Sequence, residues 1–119
     1  MHIDTVRLPN DDNVWYGTSG GEITEDRVFL LSLEEIERYF GVEPASSSEE
    51  LICYPTQHAV VGGALVDEDT DGCPWWLRSP GRGSGSAAYV FCDGYVGAYG
   101  FWVNSNNLAV RPALWVSNL

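Results

Sequence analysis

The pattern of apolar positions changes character partway along the chain. Residues 27–32 (RVFLLS) form a short continuous apolar run suited to a buried strand. They lead directly into SLEEIERYFG (32–41), where Leu33, Ile36 and Phe40 recur at helical spacing. Ser32 and Glu35 stand three apart as a capping box, in which hydroxyl and carboxylate each accept from the other's backbone amide. Glu34 and Glu35 suit the positive end of the helix dipole, and Gly41 supplies a left-handed stop. A second short helix is expected around residues 55–61, ended by Gly62 and Gly63.

Beyond residue 74 the period shortens to two. WWLRSP (75–80), AAYVFC (87–92), YVGAY (95–99), FWV (101–103) and VRPALWV (110–116) read as five short strands separated by glycine-rich turns. Asp93-Gly94 is a hairpin signal, predicting a type I′ turn with positive φ at both residues. Ala88, Val90, Val96 and Val103 are expected inside; with Val90 inward, Tyr89 and Phe91 face outward. Helices first and antiparallel strands afterwards predict the α+β class. Residues 1–25 read as an irregular lead-in, with turn clusters PNDDN and GTSGG around Val14, Trp15 and Tyr16. Residues 26–119 form the expected domain, since 119 residues suffice for one core and not two.

Charge narrows the partners. Seventeen acids face six arginines and no lysine, a net of −11; residues 1–72 carry −13 and residues 73–119 carry +2. An acidic body repels nucleic acid and anionic membranes, so neither is an expected partner. No apolar run is long enough to span a membrane, and direct membrane insertion is not expected. The N-terminus shows no basic-then-apolar signal pattern, so no secretion signal is expected in it.

Candidate chemistry is sparse. Cys53, Cys73 and Cys92 allow one disulfide but contain no CxxC pair, and His2 and His58 complete no zinc set. Asp67, Asp69, Asp71 and Gly72 imitate the first half of a calcium loop, yet the twelfth position is Arg78, so an acidic surface loop is expected. Arg78 and Arg111 sit in apolar strands and are expected to hold backbone carbonyls or a carboxylate. No nucleophile motif or phosphate loop appears. The expectation is a non-enzyme without metal or cofactor.

One stretch stands apart. FCDGYVGAYGFW (91–102) sets five aromatic side chains around the Asp-Gly turn, with glycines at 94, 97 and 100 that add no core volume. These rings either close a small core or are displayed for binding, where Tyr and Trp supply contact area at low entropy cost. Phe101 is nearer the core reading than Tyr95 or Tyr99.

VFLLSLEEIERYFG (28–41), WWLRSPG (75–81), AAYV with the following DG turn and Val96, and VRPALWV (110–116) resemble a small bacterial and phage domain of uncharacterised function. Its hallmark is WWLRSP followed by VRPAL, and the resemblance covers most of residues 26–116. That domain is similar to the C-type lectin fold, akin to the variable proteins of diversity-generating retroelements and more distantly to formylglycine-generating enzymes. The resemblance implies two short helices followed by a small twisted antiparallel sheet with long loops. It also implies a C-terminal patch, rewritten by adenine-directed mutagenesis, that binds a protein on a host or neighbouring cell. The setting implied is a phage particle or bacterial cell surface, within a longer chain.

Codons reachable from AAC encode Phe91, Cys92, Tyr95, Gly97, Ala98, Tyr99, Phe101, Asn104, Ser105, Asn106 and Asn107, but not Trp102. With Trp102 added, these are the expected ligand-binding residues. On this reading Cys92 is an exposed thiol at a tolerant position, and WWLRSP and VRPAL are paired framework strands. Two alternatives stay open: a non-diversified interaction domain of a larger surface or phage protein, and a formylglycine-generating-type enzyme. The second lacks a matching cysteine pair or metal site in the sequence. No Glu-Pro-Asn group stands near the last strands, so sugar binding through calcium is not expected.

Overall fold

A computed structural model describes residues 2–117; the last two residues of the expected domain lie outside them. The elements in chain order are β1 (His2–Ile3), β2 (Val6–Leu8), β3 (Thr24–Asp26), α1 (Leu33–Phe40), α2 (Gln57–Val61), β4 (Trp75–Pro80), β5 (Ser86–Val90), β6 (Val96–Trp102) and β7 (Val116–Ser117). The architecture is a mixed α+β fold with antiparallel sheets. β4, β5 and β6 make the central sheet in that order, while β1 pairs with β7 and β2 with β3.

Both helices form where local chemistry demands. The Glu35 amide donates to Ser32 Oγ at 3.1 Å and the Ser32 amide to Glu35 Oε1 at 2.9 Å, closing the capping box. Gly41 ends α1 at φ 70°, donating to Glu37 O. Thr56 caps α2 by accepting from the Ala59 amide.

The core follows strand parity. Trp75, Leu77, Ala88, Val90, Val96 and Ala98 point to one face of the sheet, where Leu33, Ile36, Val42 and Leu51 cover them. Trp75 also satisfies its indole N–H by donating to Leu51 O at 3.0 Å. Neither edge of the sheet is left bare. Outside β6, Ala45 donates to Val96 O and Val96 to Ser46 O, both at 2.9 Å. Outside β4, Ala109 donates to Pro74 O at 2.8 Å and Trp76 to Ala109 O at 3.1 Å.

Several expectations are corrected. Residues 2–25 are irregular only in part: they also contain β1, β2, the start of β3, and a small loop closed by the Asn13–Thr18 bridge. Residues 27–32 make only one bridge, Phe29 to Ala113, instead of a strand. YVGAY and FWV merge into the single strand β6. VRPALWV does not pair with WWLRSP; Ala113 bridges to Phe29 and Val116 pairs with Ile3, while the backbone bridge to β4 comes from Ala109, just before this segment.

Val103 lies beyond the end of β6 and is exposed; it stands an odd number of positions from inward-facing Val96, so alternation itself puts the two on opposite faces. The turn is not type I′. Gly94 has φ 83° but Asp93 is not left-handed. Phe91 O accepts from the Gly94 amide and Tyr95 O from the Phe91 amide, the pattern of a three-residue loop with a glycine bulge.

Arg78 is structural, as expected. Its Nη1 donates to Leu30 O at 2.8 Å and pairs with Glu35 Oε1, the same oxygen that caps α1. Its Nε reaches Asn10 Oδ1 at 3.2 Å. Arg111 departs from expectation: its guanidinium lies 5.1 Å from the centre of the Trp75 ring, and Nη1 is buried with no hydrogen-bond partner among the described residues.

Candidate functional site

The outward face of the central sheet is aromatic. Tyr89, Phe91 and Phe101 lie together on it, half-buried, with Tyr89 and Phe101 ring centres 4.4 Å apart. The Tyr89 ring lies flat over Gly97, where a Cβ would come within 2.2 Å of it. Only glycine at 97 leaves room for that ring. Burial raises the Tyr89 pKa, and neighbouring Tyr95, Asp93 and Tyr16 add to the shift, so its phenol stays protonated at neutral pH.

Beside this group stands an exposed ridge. The Arg82 guanidinium lies 3.9 Å from the Tyr99 ring centre and 4.7 Å from that of Trp102. Its backbone amide donates to Tyr99 O at 2.8 Å and its Nη1 to Gly100 O at 3.2 Å, which fixes the cation between the rings. Tyr16 packs edge-on against Tyr99, with ring centres 5.7 Å apart. Trp15 is 62% exposed, Tyr99 53% and Trp102 58%; Tyr99 rests on Tyr16 and Arg82, and Trp102 on Arg82, outside the core.

The N-terminal loop reaches this face through one buried residue. Asn13, 1% exposed, donates from Nδ2 to Pro80 O and Ala98 O, both at 2.9 Å. Its Oδ1 accepts from the Trp15 amide at 3.0 Å. Thr18 Oγ1 donates to Gly81 O at 2.7 Å. The loop that carries Val14, Trp15 and Tyr16 is thereby pinned across the ends of β4 and β6.

Two depressions meet at Trp15. One, of about 210 Å3, is lined by Trp15, Tyr16, Ala45, Tyr89, Tyr95 and Tyr99, among others. The other, of about 450 Å3, is bordered by Trp15 and by the acids Asp11, Asp12, Glu34 and Glu37.

The expected ligand-binding residues separate into three groups. Tyr95, Gly97, Ala98 and Tyr99 line the aromatic groove, while Trp102 and Asn104 lie beside it around Gly85. Asn106 and Asn107 run instead toward α2 and Leu65, and Ser105 is half-buried between the two regions. Cys92, Gly97 and Ala98 are buried, so they are not display positions. Parity explains Cys92: residues 86, 88, 90 and 92 all point inward, and Cys92 O is held by Thr70 Oγ1 at 3.0 Å. The exposed-thiol expectation is overturned. Phe91 and Phe101 are half-covered by each other and by Tyr89.

Trp15, Tyr16 and Arg82 belong to the same face but lie outside the expected binding set; Tyr89, expected to face outward, joins them. The sequence signal was present for two of them, as a Trp-Tyr pair set between turn clusters.

The acidic loop turns inward on itself. Asp67 Oδ2 accepts from the amides of Asp69 and Thr70, at 3.2 and 3.0 Å. Among the described residues no group of three His, Cys, Asp or Glu side chains is arranged to hold a metal ion. Nor is any helix among them long and apolar enough to cross a membrane.

No curated protein and no solved structure shows significant similarity to the chain. A family model matches residues 1–118. The strands, the Asn13 clamp and the aromatic face therefore all fall within one family unit, and the chain belongs to the family described as Domain of unknown function (DUF6273).

Proposed function

We propose that this domain is a non-enzymatic binding module whose ligand is a protein, docked on the face formed by Trp15, Tyr16, Arg82, Tyr99 and Trp102. The observation that carries the reading is the Tyr99–Arg82–Trp102 stack, which keeps large rings in fixed positions at the surface. Tyr, Trp and Arg are the residue types that dominate binding energy at protein interfaces, and fixed rings lose little entropy on docking. The acids beside Trp15 favour a partner that presents basic side chains near an apolar patch.

On this reading the scaffold is a C-type lectin-like version of the α+β fold. Diversification of the retroelement type would act at Tyr95, Tyr99, Asn104, Asn106 and Asn107. The burial of Cys92, Gly97 and Ala98 favours the second reading for the rest of the stretch, a fixed interaction surface of a larger phage or bacterial surface protein. A near-identical template repeat and a reverse transcriptase gene beside the coding gene separate the two; absence of both removes the retroelement reading.

Selection of a random peptide display library on the protein tests the binding face. Enriched peptides should lose binding to the Tyr99→Ala and Trp102→Ala variants. Peptides that bind these variants and the wild type equally would sink the proposal.

A further inference from the structure

Cys53 and Cys73 stand twenty positions apart with no motif joining them, yet the fold sets them directly opposite each other. They are partners in an isolated antiparallel bridge, and the Cys73 amide donates to Cys53 O at 2.8 Å. That bond makes them a hydrogen-bonded antiparallel pair, whose Cα atoms lie about 5.5 Å apart. Disulfides span Cα separations of about 4.4–6.8 Å, so the backbone already has a bridgeable geometry. Both thiols are free; Cys53 is half-buried against the core and Cys73 is fully buried.

We propose that this pair is a redox site, closing to a Cys53–Cys73 disulfide when the protein meets a small-molecule disulfide such as oxidised glutathione. Cys53, the accessible member, attacks one sulfur of the small disulfide as a thiolate and releases one equivalent of thiol. Cys73, deprotonated in turn, attacks the Cys53 sulfur of the mixed disulfide and releases the second. The two protein thiols lose two electrons and two protons, and the small disulfide becomes two thiols. Cys73 is raised to about 11, first by burial and then by the neighbouring Cys53 thiol, so the second step is the slow one near neutral pH.

The bond closes a loop over residues 54–72, which contains α2 and the acidic turn. It also anchors the end of the segment that covers β6 and contributes Ala45 to the aromatic groove. Oxidation therefore stiffens one wall of that groove.

The test equilibrates the reduced chain in glutathione buffers of increasing oxidised fraction, quenches with acid, alkylates and maps peptides without reduction. The expected product has lost two hydrogens, keeps a single alkylatable thiol at Cys92, and carries the 53–73 link. Its Tm should exceed that of the reduced protein by roughly 5–10 °C. The Cys92→Ala variant should form the same link. A link through Cys92, a persistent glutathione adduct on Cys53, or three free thiols at the oxidising limit would each overturn the assignment.

Discussion

Asn13 is the residue on which the N-terminal half of the aromatic face depends, and its removal gives a quantitative test. Its side chain makes two 2.9 Å bonds to the carbonyls of Pro80 and Ala98, a longer one of 3.4 Å to Gly81 O, and accepts from the Trp15 amide. A net hydrogen bond contributes about 1 kcal/mol, and leaving a buried carbonyl without its donor costs about 1–3 kcal/mol. Counting the two short bonds fully and the others weakly, Asn13→Ala should destabilise by about 2–4 kcal/mol.

Urea titration followed by tryptophan fluorescence, with thermal melts by circular dichroism, reads this directly. The Tm should fall on the order of 10 °C. Asn13→Asp supplies the sharper comparison. It preserves shape but turns a carboxylate toward two carbonyl oxygens, so at neutral pH it should be at least as damaging as alanine. Stability should return in part as the pH falls and the new carboxyl protonates and becomes a donor. An Asn13→Asp protein as stable as wild type at pH 7, or an alanine cost below about 0.5 kcal/mol, would refute the clamp.

Three further outcomes follow from other parts of the fold. Arg78→Ala leaves the Glu35 carboxylate, only 10% exposed, without its cation and should cost about 3–5 kcal/mol by chemical denaturation. Gly97→Ala should cost about 1–3 kcal/mol and move the Tyr89 ring resonances in NMR spectra. Adding Tyr89→Ala to that variant should remove most of the extra strain, a non-additivity that independent sites would not show. Under reducing conditions, stability should fall as the pH rises from about 9 toward 11. The unfolded Cys73 thiol ionises near 9 while the folded one holds its proton to about 11. The loss amounts to about 2–3 kcal/mol, and Cys73→Ala should flatten that slope.

Short-range chemistry made much of the scaffold legible. The Ser32–Glu35 box, Gly41 and the alternation through Trp75, Leu77, Ala88 and Val90 are encoded within a few residues of each element, and the structure has each of them. Most of what failed needed distant information. Trp15 belongs to the aromatic face because Asn13 bonds to Ala98, 85 positions away. Cys92 is buried because it continues the inward parity of β5, which the turn beside it disguised. Val103 did not need distant information: its odd spacing from Val96 already puts it on the opposite face of the strand. The exposed positions of Tyr99 and Trp102 were legible, since bulky rings among glycines have little core to enter. Arg82 was not, because its role is set by the two rings that enclose it.

Protein binding at the Tyr99–Arg82–Trp102 face, as proposed, is distinguished from binding at the apolar face around Tyr39, Leu114 and Trp115 by comparing variants at each. Titration calorimetry with one peptide selected on the wild-type protein compares Tyr99→Ala, Trp102→Ala and Trp115→Ala at matched folding stability. Each of the first two variants should bind with at least a tenfold weaker Kd, equivalent to about 1.4 kcal/mol, and the third with less than a twofold change. The reverse ranking, or equal loss in all three, would contradict the proposal.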